Sequence, residues 1–293
     1  MKVRFAVSPG AAPFDADGLV AFATASEALG FDTIWLSDVP LAPIGDPLVS
    51  LAFVAARTTQ LKLGTNLVPI GRNPMLLARQ LAQLDQCSDG RLLLSFVPGL
   101  DEPGERRALG APTGDRGAML EEIIGLVRRW WDGEQVDYQN GAFDFRAVTV
   151  EPRPRQQPLE IWLGGAGPRA VDRVARCADG WLTSTLTPAE VDVARERIVS
   201  QAKDLGHFID HEHFGISIPF ARTEVPEAAV ARLRTRRPTG DLEDIVPVGG
   251  PALAELVKRH VDSGLSKFVL RPLEPTAPDD LPWLADFVLP LQT

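Results

Sequence analysis

Cysteine is almost missing from this chain: Cys87 and Cys177 are the only two in 293 residues. Two thiols are too few for a disulfide framework or a cysteine-built zinc site. Positive charge is also short. Thirty Lys and Arg stand against 39 Asp and Glu, a net charge of −9, whereas a nucleic-acid binder needs a positive surface to displace counterions. No apolar run approaches the ~18 residues needed to span a bilayer. The opening MKVRFAVSPGAAPFDADG breaks its short apolar run with Ser, Pro and two Asp, so it lacks the core of a secretory signal. These absences predict a cytoplasmic protein whose partner is a small molecule, with no nucleic acid and no membrane involved.

Histidine is restricted too. His207, His211, His213 and His260 all fall in the last third of the chain, away from the first six strands assigned below. That argues against a Ser-His-Asp hydrolase. The first three form an H-x-x-x-H-x-H run, but it lies before a strand rather than after one, and a solvated loop is the better reading. A glycine-rich turn after the first strand is missing as well, which argues against a doubly wound dinucleotide fold.

What the chain has is enough apolar content, 45%, for a large packed core, in alternating β-rich and helical runs. The expected strands are 3–8, 33–36, 61–66, 91–97, 159–163, 180–183, 213–221 and 267–270. Between them, Leu19, Phe22, Ala23, Ser26 and Leu29 recur at helical spacing and stop at Gly30, where a left-handed cap fits. Asn73-Pro74 reads as an N-cap followed by proline at the first helical position. The run LLLSFV at 92–97 does not alternate, as expected of a strand buried on both faces. Eight strand–helix pairs in order predict a (β/α)₈ TIM barrel. It forms a single domain over 1–293, with insertions after the fourth and seventh strands. The first insertion carries Tyr138-Gln139-Asn140-Gly141, the pattern of a type I′ hairpin. The second, 223–248, is rich in Arg, Pro and Gly and is expected to be a mobile excursion. Its Arg232, Arg234, Arg236 and Arg237 fit a solvated charged face better than an anion site.

In a barrel the chemistry sits at the C-terminal strand ends. The residues there are hydroxyls, amides, glycines and Asp38, a set suited to a reaction in which a bound cofactor does the chemistry. Gly164-Gly165-Ala166-Gly167, after a strand and before a helix, is either a phosphate cradle or only a tight turn. Asp38 is either a functional carboxylate or a loop cap. Trp35, Trp162 and Trp181 lie on strands and fit the core.

Taken together, ALGFDTIWLSD (28–38), LKLGTNLVPIGRNPMLLARQLAQLDQCSDGRL (61–92), LVRRWWDGEQV (126–136), PRPRQQPLEIWLGGAGPRAVDRVARCADGW (152–181) and VGGPALAELVKRHVDSGLSKFVLRP (248–272) resemble the luciferase-like superfamily. Within it they resemble the branch of oxidoreductases that use the deazaflavin coenzyme F420. The resemblance covers most of the chain. It implies a cofactor lying across the strand ends, with FMN in a two-component monooxygenase, or a non-catalytic flavin-binding barrel, as the alternatives. It also implies a homodimer paired through the helices around strands two to four. It assigns Asp38 to the polar side of the ring, as cofactor ligand and catalytic candidate, and Gly164, Gly165 and Ser184 to the phosphate. Thr65, Asn66 and Leu67 become the supporting bulge, with a non-proline cis bond between Asn66 and Leu67, and Pro98 and Gly99 the neighbouring wall. The chain departs from relatives at Val39, where many carry His, and at Val97, where a glycine lets the ring approach. It also lacks the Glu that sugar-phosphate dehydrogenases carry near Leu100.

Overall fold

The computed structural model describes all residues except 11–13, 100–101 and 141–142. Its strands are β1 (Arg4–Val7), β2 (Thr33–Ser37), β3 (Lys62–Leu67), β4 (Leu92–Phe96), β5 (Val136–Gln139), β6 (Asp144–Val148), β7 (Ile161–Leu163), β8 (Gly180–Ser184), β9 (Phe214–Phe220) and β10 (Lys267–Pro272). The helices are α1 (Ala16–Leu29), α2 (Pro47–Ala55), α3 (Pro74–Cys87), α4 (Pro103–Ala108), α5 (Arg116–Trp131), α6 (Pro168–Cys177), α7 (Pro188–Asp204), α8 (Glu227–Arg236), α9 (Gly250–Asp262) and α10 (Leu281–Val288). Eight strands close a parallel barrel in the order β1-β10-β9-β8-β7-β4-β3-β2, and β5 pairs with β6 as a separate hairpin. This is the (β/α)₈ TIM barrel expected from the strand–helix alternation.

Local signals place the helices. Gly30 ends α1 at φ +92°, its N–H donating to the Glu27 carbonyl, and the Asn73 side chain accepts from the N–H groups of Met75 and Leu76 to open α3. The strands sort their side chains into two layers. Outward, Phe5, Ile34, Leu63, Leu94, Ile161 and Phe268 join the helix-packed core. Inward, Ala6, Trp35, Leu182 and Val269 form a cluster of their own, with Leu93 and Trp162 against it. The two indoles fit because glycines face them. A Cβ on Gly64 would lie 2.0 Å from the Trp35 ring, and one on Gly180 would lie 2.4 Å from the Trp162 ring. Trp35 and Trp162 thus plug the middle of the barrel and separate the space at the C-terminal strand ends from a cavity of about 260 Å³ at the opposite end.

Three expectations are corrected. Among the described residues the cis peptide bonds are Glu151–Pro152 and Gln157–Pro158, so Asn66–Leu67 is trans. β3 stays in regular register through that point, Asn66 against Ser95 and Leu67 against Phe96, which leaves no bulge to house a cis bond. The 223–248 excursion is built rather than loose: it holds α8 and buries Leu233, Ile245 and Val246 in a small cluster of their own. Within it Arg237 forms a two-pronged ion pair with Glu190, at 2.8 and 3.0 Å, and Arg234 donates to the Gly240 carbonyl. The Arg236 side chain lies outside the described residues. The hairpin forms, with Asn140 N–H donating to the Phe143 carbonyl, but the type I′ turn expected there falls partly on residues outside the described set. In the histidine run, His207 and His213 bond the carbonyls of Ala178 and Asp179.

His260 on α9 is fully buried, and neither ring nitrogen has a hydrogen-bond partner among the described residues. Burial, helped by Arg259, pushes its pKa down from 6.5 to about 4. The unfolded chain therefore binds a proton that the fold refuses between these two values. Stability falls as pH drops through that window, by up to about 1.4 kcal/mol per pH unit, and the loss is complete below the folded value. His260→Leu is expected to recover roughly 2 kcal/mol of the acid loss at pH ~5. Urea denaturation at pH ~8 and pH ~5 measures it; parallel losses in both proteins would count against the assignment.

Candidate active site

Above the indole plug, a cavity of about 680 Å³ opens at the C-terminal strand ends. That is within the range of small-molecule sites. One rim is built by the ends of β2 and β3. The Asp38 N–H donates to the Asn66 carbonyl at 2.8 Å. The Asp38 carboxylate, 4% exposed, accepts at Oδ2 from the Val68 N–H at 3.0 Å and from Arg72 Nη2 at 2.9 Å. Arg72 also reaches the Val68 carbonyl and Asp46, whose other oxygen caps α2. The loops after β2 and β3 are thereby tied together beneath the cavity wall. Oδ1 of Asp38 has no partner among the described residues, so it is the oxygen left for a ligand.

Val97, Pro98 and Gly99 follow β4 along the cavity wall. Arg116 donates to the Gly99 carbonyl at 3.2 Å. Glu105 on α4, only 3% exposed, also reaches the cavity. Leu100, near which sugar-phosphate dehydrogenases carry a Glu, and the neighbouring Asp101 lie outside the described residues. Among the described residues lining the cavity, the carboxylates are Asp38 and Glu105.

The opposite corner follows β7. Gly165 sits at φ +109°, and an added Cβ would come within 2.7 Å of the Ala170 Cβ, so glycine is required twice over. A Cβ on Gly164 would come within 3.1 Å of Val97 and 3.2 Å of the Leu182 carbonyl. The Trp181 indole N–H donates to the Gly165 carbonyl at 2.9 Å and fixes the corner from behind. The N–H groups of Gly165, Ala166 and Gly167 are exposed and make no hydrogen bond among the described residues. Such a run of unused donors next to the start of α6 suits a phosphate. Beside it, Ser184 ends β8 and Thr185 holds φ +54°, with Arg237 donating to its carbonyl at 3.0 Å. The bonds from Arg237 and the Thr187 donors hold the Glu190 carboxyl below its usual range, against the upward push of burial.

Of the residues predicted for the site, Asp38, Asn66, Pro98, Gly99, Gly164, Gly165 and Ser184 line this cavity. Thr65 and Leu67 do not. The pleat of β3 turns Gly64 and Asn66 inward, so Thr65 and Leu67 face the helices, fully buried. Arg271, at the end of the last strand, is among the strand-end positions singled out in the sequence, whereas sequence reasoning missed Arg72, Glu105, Arg116 and Ser217. Only Ser217 had a local signal: alternation along Phe214–Phe220 places Gly215 and Ser217 on the inner face. A slot for a flat heterocycle, polar at the β2–β3 end and rich in free N–H groups at the other, fits the chemistry of a phosphate-bearing flavin or deazaflavin.

Comparison with known proteins agrees with this geometry. The family model for luciferase-like monooxygenase matches residues 1–262. An F420-dependent glucose-6-phosphate dehydrogenase from Kineococcus radiotolerans is 32% identical over 178 residues, covering 57% of this chain and 52% of that protein. The chain spans about half the length of the curated relatives it matches. A monooxygenase from Streptomyces bottropensis superimposes with a TM-score of 0.81 at 22% identity, covering 98% of this chain and 99% of that one. An F420-dependent secondary alcohol dehydrogenase superimposes with a TM-score of 0.83 at 16% identity over the full length of both. At these identities the two structures speak for the fold. With a closed parallel barrel, a cavity at its strand ends and a match over residues 1–262, the chain belongs to the luciferase-like monooxygenase family.

Proposed function

We propose that this chain is an oxidoreductase that binds coenzyme F420 and moves a hydride to or from a small organic substrate. The observation that carries the reading is the Gly164–Gly167 corner, where Gly165 and Ala166 line the cavity with unused N–H groups and the unused Gly167 N–H follows directly after them. The similarity to a dehydrogenase named as F420-dependent favours deazaflavin over FMN. When bound, the deazaflavin supplies the carbon that accepts or releases the hydride.

The chain's own residues do the rest. Gly165, Ala166 and Gly167 N–H groups hold the phosphoryl oxygens, joined by the Ser184 hydroxyl. Asn66 and Asp38 Oδ1 meet the polar edge of the ring. The Asn66 amide would oppose the negative charge that develops at that edge during hydride transfer, whereas the Asp38 carboxylate would accept from a ring N–H and fix the ring's orientation. Asp38 is committed at Oδ2 to Arg72, so its role is to orient the ring. Glu105, the cavity's other carboxylate, takes the proton-transfer role. Glu105→Gln is expected to keep deazaflavin affinity and to lower turnover by about 10²-fold or more; equal turnover would remove Glu105 from the chemistry.

The deciding experiment titrates the apoprotein with deazaflavin and with FMN, following tryptophan fluorescence. Trp181 is bonded to the phosphate corner and reports on it directly. Quenching by deazaflavin supports the reading. Quenching by FMN alone would favour the two-component monooxygenase, and quenching by neither the non-catalytic barrel. We further infer a homodimer, since Val49 and Phe53 on α2 and Leu76 on α3 expose apolar side chains on neighbouring helices. Sedimentation equilibrium showing a monomer at micromolar concentration would refute it. No helix among the described residues is long and apolar enough to cross a membrane.

A further inference from the structure

A left-handed backbone marks the wall beside the glycine corner. Among the described residues, the non-glycine positions with positive φ are Asp89, Ala147 and Thr185, and of these Thr185 is the β-branched one. Branching at Cβ makes this conformation especially unfavourable, so surrounding contacts must hold it. Thr185 lines the cavity directly after Ser184, the hydroxyl assigned above to the phosphate. Backbone strain of this kind gathers at ligand clamps, where neighbours over-determine the geometry.

Those neighbours come from two directions. Along the chain, Thr185 Oγ1 donates to the Ser184 carbonyl at 2.7 Å, and two residues later Thr187 opens α7 in a reciprocal cap with Glu190. From the 223–248 insertion, Arg237 donates through Nη1 to the Thr185 carbonyl at 3.0 Å and grips both oxygens of Glu190 at 2.8 and 3.0 Å. A planar guanidinium bonded to a carboxylate at two points has a set orientation. Its bond to Thr185 therefore fixes the peptide plane that follows this residue. Arg237 Nε is buried without a partner among the described residues. That desolvated donor costs stability, which argues against a placement serving stability alone. Since α7 is anchored by its cap, any relaxation of Thr185 toward negative φ must be taken up at the end of β8, where Ser184 stands.

We propose that Arg237 is a positioning residue for the cofactor: reaching across from the insertion, it holds Thr185 in the left-handed conformation that keeps the Ser184 hydroxyl on the phosphate. The inference rests on the reading of this corner as a phosphate site.

The test titrates the full chain, by tryptophan quenching, with the deazaflavin coenzyme and with the same deazaflavin lacking its phosphoryl group. Arg237→Met is expected to weaken binding of the phosphorylated form by about tenfold and of the phosphate-free form by less than about twofold. Adding Thr185→Gly to Arg237→Met is expected to restore the affinity to within about threefold of the unmodified chain, because glycine reaches positive φ without the guanidinium. A purely structural Arg237 would weaken both forms equally and gain nothing from glycine. Either result would overturn the inference and leave the cavity reading intact. Should circular dichroism show Arg237→Met unfolded, Glu190→Gln loosens the same grip while an amide oxygen still accepts from Thr187. It is expected to weaken the phosphorylated form alone, by about threefold, and no selective loss there would equally overturn the inference. If the unmodified chain binds neither form, or both alike, the phosphate reading falls together with it.

Discussion

Gly165→Ala is expected to weaken deazaflavin binding by about 30-fold, with the barrel still folded. The backbone at φ +109° is one that side-chain-bearing residues rarely adopt, and holding alanine there costs on the order of 1–3 kcal/mol. The new methyl would also lie 2.7 Å from the Ala170 Cβ, so the corner must shift to admit it. Because the donors proposed to hold the phosphate are the N–H groups of this same turn, the shift moves them off target together. About 2 kcal/mol of lost interaction corresponds to the stated change. Fluorescence titration reads the affinity and circular dichroism the fold. Unchanged affinity in a folded variant would place the phosphate elsewhere.

Arg72→Met is expected to be the most destabilising substitution at the rim. It leaves the Asp38 carboxylate, 4% exposed, with the Val68 N–H as its partner and no counter-ion at 2.9 Å. Breaking one side of a buried pair costs several kcal/mol. Since Arg72 itself is 24% exposed, water softens the penalty to about 2–3 kcal/mol, or roughly 4 °C in Tm. The double variant Asp38→Asn with Arg72→Met is expected to regain more than half of that loss, because no unpaired charge remains to be buried. Thermal unfolding of the two variants decides it. A double variant no more stable than the single one would mean that Arg72 acts through packing, not through Asp38.

The parts of the fold that could be read residue by residue are those governed by neighbours in sequence. Gly30 ends α1 and Asn73 opens α3 because capping needs only a few consecutive residues. The apolar runs at 92–96 and 161–163 are strands because burial on both faces leaves no room for polar alternation. Helix α8 escaped notice because its Arg-rich stretch lacks an apolar stripe, although Leu233 is buried against Ile245 and Val246 from the same insertion. The Asn66–Leu67 cis bond failed for a different reason. It was carried over from relatives, whereas the register of β3 with β4 in this chain continues undisturbed.

The candidate site divides in the same way. The glycine corner was legible because its glycines are adjacent, and Asp38 because it follows a strand directly. Thr65 and Leu67 were placed beside the ligand by strand position and by the bulge carried over from relatives, and the pleat, once the barrel closed, turned both toward the helices. Arg72 and Glu105 carry no signal in their own segments.

The sequence by itself determined the eight strand–helix units, their caps and the corner after β7, since backbone geometry, periodicity and capping act within a few residues. Only the tertiary structure decided which side chains share the rim and that Trp35 and Trp162 floor it. Those outcomes depend on closure of the strands into a ring, which brings together loops that are distant along the chain.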